Sequence, residues 1–223
     1  MIFEEYPDAE MMMMRLADRL ASELNSWLMR HDMATLAVPG GTTPGPVFDT
    51  LSAVDLDWSR VRVVLTDERW VPEDSPRSNA TLLKKRLFVD RAAAAHFVPL
   101  YLPGAEPEDR LEEIATAVAD ALPISVLLLG MGADMHTASL FPGADRLDDA
   151  LASDAPPVMA MRAPGAPEPR VTLTAPVLDE AMTKHVVITG AEKRAALERA
   201  ANLKPKEAPI RAVWTDLTVH WAE

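Results

Sequence analysis

The chain predicts an α/β fold with a mostly parallel sheet, and three observations carry that expectation. Apolar runs of strand length recur along the sequence, stretches of helical spacing separate most of them, and the runs are apolar on both faces. Strands of that kind lie flat only in a sheet covered on both sides by helices.

The first element reads as a helix. Residues 9–30 place Met13, Leu16, Leu20, Leu24 and Trp27 or Leu28 on one stripe, with Asp8 available as the N-cap. The run Met11–Met14 belongs to it, part core and part surface, because methionine is a good helix former. Strands are then expected at Thr35–Val38, Val61–Thr66, Phe97–Leu100, Val126–Leu129, His185–Ile188 and Ala212–Trp214. Helices are expected between them at 46–52, 79–88, 107–121, 175–182 and 191–201. Segments 158–162 and 170–174 are candidates for a hairpin or edge strands. Pro156-Pro157 and Pro164-Gly165-Ala166-Pro167 stiffen loops, and nothing beside them reads as a linker. Residues 1–223 are therefore expected to form one domain.

Composition narrows the function. With 48% hydrophobic and 25% charged residues the chain can bury a sizeable core. It has no cysteine, which removes disulfides, thiolate metal sites and cysteine nucleophiles. A net charge of −12 disfavours DNA or RNA as a partner. It leaves room for a small phosphorylated ligand, which needs only a local nest of amides and one or two cations. The opening MIFEEYPDAE lacks a basic leader, and no stretch approaches the roughly 18 apolar residues of a membrane span, so a soluble cytoplasmic protein with no membrane partner is expected.

In an open parallel sheet, ligands sit beyond the carboxyl ends of the strands. The strand 35–38 runs into Pro39-Gly40-Gly41-Thr42-Thr43-Pro44. Two glycines allow close approach of backbone to ligand, two threonines offer hydroxyls, and free amides at the start of the next helix would favour a phosphate. An ordinary strand-to-helix turn fits the same residues. The next strand end reads Asp67-Glu68-Arg69-Trp70-Val71-Pro72. Three charges after an apolar run are costly unless paired or used. Asp67 or Glu68 could orient Arg69 toward an anionic substrate, or the three could form a solvated turn. Ser78 is a plausible helix cap, and Arg77 beside it is either a phosphate contact or a surface charge.

The strand 126–129 leads into Gly130-Met131-Gly132-Ala133-Asp134-Met135-His136. A dinucleotide turn would need a third glycine where Met135 stands, so that reading fails. What remains is a glycine turn that delivers Asp134 and His136 to a strand end. Among five histidines, His31, His96, His185 and His220 have no comparable setting. A neutral imidazole at 136 could take a proton from water while Asp134 or a backbone carbonyl fixes its tautomer. No spacing suggests a metal site, and no serine stands in a nucleophile elbow.

Taken in order, these motifs resemble the 6-phosphogluconolactonases of the glucosamine-6-phosphate isomerase/deaminase-like superfamily. The resemblance rests on Gly40–Pro44, on Asp67-Glu68-Arg69 with Ser78-Asn79, and on Gly130–Gly132 with Asp134 and His136–Pro142. Arg170–Thr174 with Gly190 and Lys193 completes it. It implies a Rossmann-like three-layer α/β/α sandwich and hydrolysis of 6-phosphogluconolactone in the pentose phosphate pathway, with no metal or organic cofactor. His136 would be the general base and Asp134 its support, with Arg69 or amides at the oxyanion. Gly40, Gly41, Thr42, Thr43, Asp67, Arg77, Asn79, Arg170 and Lys193 would hold the sugar phosphate. Where the family has glycine between the Asp and the His, this chain has Met135; positive φ there would cost about 1 kcal/mol or more. The same superfamily admits an amino-sugar-phosphate isomerase or deaminase, and related folds admit a non-catalytic sugar-phosphate sensor.

Overall fold

The computed structural model describes all residues, 1–223. The chain runs through β1 (Ile2–Glu5), α1 (Ala9–Leu28), β2 (Ala34–Val38), α2 (Gly45–Ser52), β3 (Val61–Leu65), β4 (Asp67–Arg69), α3 (Asn79–Arg86) and β5 (His96–Val98). It continues through α4 (Leu111–Ala119), β6 (Val126–Gly130), α5 (Leu147–Leu151), β7 (Val158–Met161) and β8 (Arg170–Leu173). Last come α6 (Ala175–Asp179), β9 (Thr183–Thr189), α7 (Ala191–Ala200) and β10 (Leu217–Ala222).

Seven strands form one sheet in the order β1-β10-β9-β6-β2-β3-β5, with every neighbouring pair parallel. All five residues of β2 are buried. Successive strand side chains point to opposite faces, so both faces are covered and the α/β/α layering follows. One core of 59 buried residues draws on these strands and on the packed stripes of the helices.

The strand order fixes where a ligand can sit. From β2 the chain steps outward through β3 to β5, and from β6 it steps the other way through β9 to β10. The direction reverses between β2 and β6, which are paired neighbours. Loops leaving the two strand ends diverge there and open a crevice. The loops after β2 and β6 are the two glycine turns.

α1 begins where Asp8 caps it, its side chain accepting from the Met11 amide. Met12 and Met13 are buried whereas Met11 and Met14 are exposed, so the methionine run divides between core and surface. Ser78 caps α3 in the same way. Segments 158–161 and 170–173 do pair as a hairpin, and β4 joins them in a second, antiparallel sheet of order β4-β8-β7. The Asp67–Arg69 segment is thus strand, not turn.

At the termini one expectation needs correction and one strand is additional. Ala212–Trp214 is not a strand: Pro209–Val213 forms a 3-10 turn, and the strand follows at Leu217–Ala222. β10 was hidden because Thr218 and His220 are polar yet fully enclosed, a pattern that reads as surface until their partners are known. β1 was hidden by its acidic residues, which suit an edge strand whose outer side is wet. His185 and His220, unremarkable in the sequence, meet in the core with their rings 3.1 Å apart at Nδ1 and Nε2.

Candidate active site

A cavity of about 220 Å³ opens at the sheet reversal, lined by both glycine turns together with Asp67, Arg69, Asn79, His136, Ala138, Arg170 and Lys193. The topology explains the gathering. β2 delivers Gly40–Pro44, β3 runs on into β4 with Asp67 and Arg69, β6 delivers Gly130–His136, and β9 leads into α7 with Lys193.

Gly40 and Gly41 serve different needs in the first turn. A Cβ on Gly40 would overlap the Asn79 amide, and Gly41 has φ +82°, a conformation L side chains rarely adopt. Asn79 is in turn held by its Nδ2, which donates to the Asp67 carbonyl at 2.9 Å. The amides of Gly40, Gly41, Thr42 and Thr43 donate to no other backbone group, so the loop itself offers N–H groups to the crevice. The helix start offers few: Pro44 and Pro46 have no N–H, and the Gly45 and Val47 amides are taken by Thr42 and Pro44 carbonyls. The donor set is therefore the loop rather than the helix end.

The charged triplet divides into three tasks. Glu68 is buried and accepts from the amides of Arg69, Asn79 and Ala80 and from the Ser78 hydroxyl, so it fixes the start of α3. Burial pushes its carboxyl above the usual range, and the three amides pull it back. Asp67 accepts from Ser139 Oγ at 2.6 Å and pairs with Arg170 at 3.4 Å. Neither acid engages the Arg69 side chain; its Nη1 donates to the Arg77 carbonyl at 2.9 Å. Arg69 and Arg170 are directly opposed across the β4–β8 pair. Both Nε atoms are buried without a partner. Burial, then the adjacent Arg170 and Arg77 cations, hold the Arg69 guanidinium below its ordinary value.

His136 lies at the tip of the second turn. Its Nδ1 is 2.5 Å from Asp134 Oδ1, and its Nε2 has no partner within the protein. The turn is cinched by Gly132 N to the His136 carbonyl, by Met135 N to the Gly132 carbonyl, and by Thr137 Oγ1 to the Gly130 carbonyl. A Cβ on Gly132 would overlap both His136 and Asp134, so only glycine leaves room for the pair. Met135 sits at φ +67°, the left-handed region, and its carbonyl is tied by the Ile210 amide at 3.1 Å. Ala138, which lines the cavity, also has positive φ, at 48°.

Three sequence candidates lie off the cavity wall. Arg77 is exposed and its guanidinium is bound by Glu168, so it is not free for a phosphate there. Thr42 is exposed on the outer side of its turn, and Asp134 reaches the cavity only through His136. Ser139, Phe141 and Thr172 had no assigned role; they stand behind Asp67, His136 and Ser139 respectively. The spacing of Ser139 within the His136–Pro142 stretch carried no hint of its partner, which is distant in sequence.

A crevice at the reversal of a parallel sheet, with free loop amides, cations and a carboxylate-held imidazole, defines an α/β enzyme arranged around a small anionic ligand. The chain belongs to the family of glucosamine-6-phosphate isomerases and 6-phosphogluconolactonases, whose model matches residues 7–221. A 6-phosphogluconolactonase of Rhizobium meliloti is 42% identical over 215 residues, covering 93% of this chain and 92% of the relative. One from Pseudomonas aeruginosa is 42% identical over 212 residues, covering 92% and 88%. The crystal structure of a 6-phosphogluconolactonase from Shewanella baltica superposes with a TM-score of 0.96 at 31% identity, covering 100% of this chain and 97% of that one. A monomeric glucosamine-6-phosphate deaminase shares the fold at 16% identity, with a TM-score of 0.82 over 100% and 98% of the two chains.

Proposed function

We propose that the chain hydrolyses 6-phospho-D-glucono-1,5-lactone to 6-phosphogluconate, a step of the pentose phosphate pathway, with His136 as general base. The observation that carries the mechanism is the Asp134–His136 contact. It occupies Nδ1 and leaves Nε2 unpartnered beside the cavity.

The amides of Gly40, Gly41 and Thr43, with Arg170 and Lys193, receive the phosphate and so fix the lactone carbonyl near His136. A water loses a proton to Nε2 as its oxygen adds to C1, and the carbonyl oxygen becomes an oxyanion stabilised by Arg69. Asp134 accepts the Nδ1–H and steadies the imidazolium. Collapse breaks the bond from C1 to the ring oxygen, which takes the proton back from Nε2. The product is an open-chain acid that ionises in water, and no step calls on a metal or organic cofactor.

Residues 1–223 act as one domain, supported by the continuity of the core. A net charge of −12 and the absence of any helix long and apolar enough to cross a membrane support a cytoplasmic enzyme with a small-molecule substrate, not a nucleic-acid partner. A deaminase would need a second carboxylate free to move a proton between carbons. The other cavity carboxylate, Asp67, is engaged by Ser139 and Arg170. Decay of freshly prepared lactone, followed beside a glucosamine 6-phosphate control, tests the reading. Faster lactone decay than in buffer, with no ammonia from the control, is expected; a buffer-like decay contradicts it.

A further inference from the structure

The His136 ring is held by more than Asp134. It stacks on Phe141, with ring centroids 4.2 Å apart and planes 27° from parallel. The Arg170 guanidinium lies over the same Phe141 ring, 5.3 Å from its centroid. The backbone between them is pinned from behind. The Ser139 amide donates to Thr172 Oγ1 at 3.1 Å, and Leu140 is fully buried. Phe141 therefore projects from a fixed point and touches both the imidazole and the cation.

Asp134 alone is a weak constraint on the base. Its side chain is 53% exposed, and although its Oδ1 also accepts from the His136 amide at 3.2 Å, one oxygen at Nδ1 leaves the plane of the ring free to turn. A stacked aromatic face removes that freedom, because the imidazole cannot turn about its Cβ–Cγ bond without leaving the ring. The same face favours a cation, so it stabilises the imidazolium that forms as water is deprotonated.

We propose that Phe141 is a positioning residue for the hydrolysis. Its ring sets the plane of the His136 imidazole and the place of the Arg170 guanidinium, so that base and cation keep one mutual geometry. This rests on the reading of His136 as the base.

The test compares wild type with Phe141→Leu, Phe141→Tyr and His136→Ala. kcat and KM for the lactone are measured between about pH 5 and 8, and a melting curve confirms folding. The substrate phosphate titrates alike in every profile, so differences between proteins are read. Phe141→Leu is expected to lose about tenfold in kcat, with KM raised less than about threefold because Asp67 still holds Arg170. Phe141→Tyr keeps the ring and should restore both within about twofold. Phe141→Met fills similar volume without a ring and gives the same readings if Phe141→Leu melts early. A folded ring-less variant with wild-type kcat overturns the proposal, as does a loss confined to KM, or a Tyr variant no better than Leu. If His136→Ala is inactive while Phe141→Leu is normal, the Phe141 role alone fails. If His136→Ala is fully active, the base assignment fails and the Phe141 role falls with it.

Discussion

Arg69 and Arg170 face each other across an antiparallel strand pair, and each keeps a buried Nε without a partner. Like charges directly opposed across strands destabilise a sheet; Asp67 pairs directly with Arg170 and reaches Arg69 only through its field, which the neighbouring cations and burial outweigh. Anionic groups of a substrate beside them would reduce the repulsion and give the orphaned donors acceptors.

Anion binding should therefore stabilise the fold measurably. Saturating 6-phosphogluconate is expected to raise Tm, and Arg170→Gln should weaken that shift. In kinetics the same variant should raise KM for the phosphorylated lactone by about 10- to 100-fold, the worth of one charged hydrogen bond. Its effect on phosphate-free glucono-δ-lactone should be small. Equal losses on both lactones would place Arg170 elsewhere than at the phosphate.

The Asp134–His136 pair predicts a graded loss. Asp134→Asn should lower kcat about tenfold, less than at a fully enclosed triad because Asp134 is half exposed. Gly132→Ala should cost at least as much, since its Cβ overlaps both members of the pair. Circular dichroism and steady-state rates on the two variants separate lost orientation from lost fold.

At Met135 the backbone, at φ +67°, predicts an order among substitutions. Glycine relieves left-handed strain but adds flexibility to the unfolded chain, so Met135→Gly should stay within about 1 kcal/mol of wild type. Met135→Val places a β-branched side chain in the same region and should destabilise by more than about 1 kcal/mol. Activity should survive in the glycine variant. Urea unfolding and kcat on the pair check both statements.

A ring of polar groups, buried at His185 and His220 and outside the cavity lining, makes stability depend on pH. Glu23 contacts His185 at 2.8 Å, His185 contacts His220, and His220 contacts Tyr6 at 2.9 Å. Tyr6 donates to Glu4, and Arg19 joins Glu4 back to Glu23. Burial, then the neighbouring His185, lowers His220 from 6.5 to about 4. Its folded value is depressed, so the unfolded chain binds this proton more tightly. Stability is then full above about pH 6.5 and falls as pH drops toward about 4, by roughly 1–3 kcal/mol. Glu23, lowered to about 2 despite its burial through His185, adds a further loss between its ordinary 4.5 and that value. Urea unfolding at a series of pH values should show the slope, and His220→Gln should flatten its upper part.

Much of this was legible in the sequence, for physical reasons that differ by element. α1 was readable because its stripe and its Asp8 cap are local. The turns after β2 and β6 were readable because glycine is needed there by close packing and by φ, which leaves a mark in the residue type. Asp67-Glu68-Arg69 was only half readable. That charges so placed must be paired followed from cost alone, but their partners, Ser139, Arg170 and the start of α3, are set by sheet pairing across the chain. Arg77 shows the converse: its residue type and position suited a phosphate, and Glu168, brought in by tertiary structure, claims it. β10 escaped notice because buried histidine looks like surface until its partner is seen.

Whether His136 supplies the base is tested most directly by one paired measurement. Initial rates of lactone ring opening are compared for wild type and His136→Ala at neutral pH, with calorimetric binding of 6-phosphogluconate to both. With His136 as the base, the variant binds the product as wild type does while its rate falls by about 10²-fold or more. A variant that binds normally and opens the lactone at the wild-type rate would contradict it.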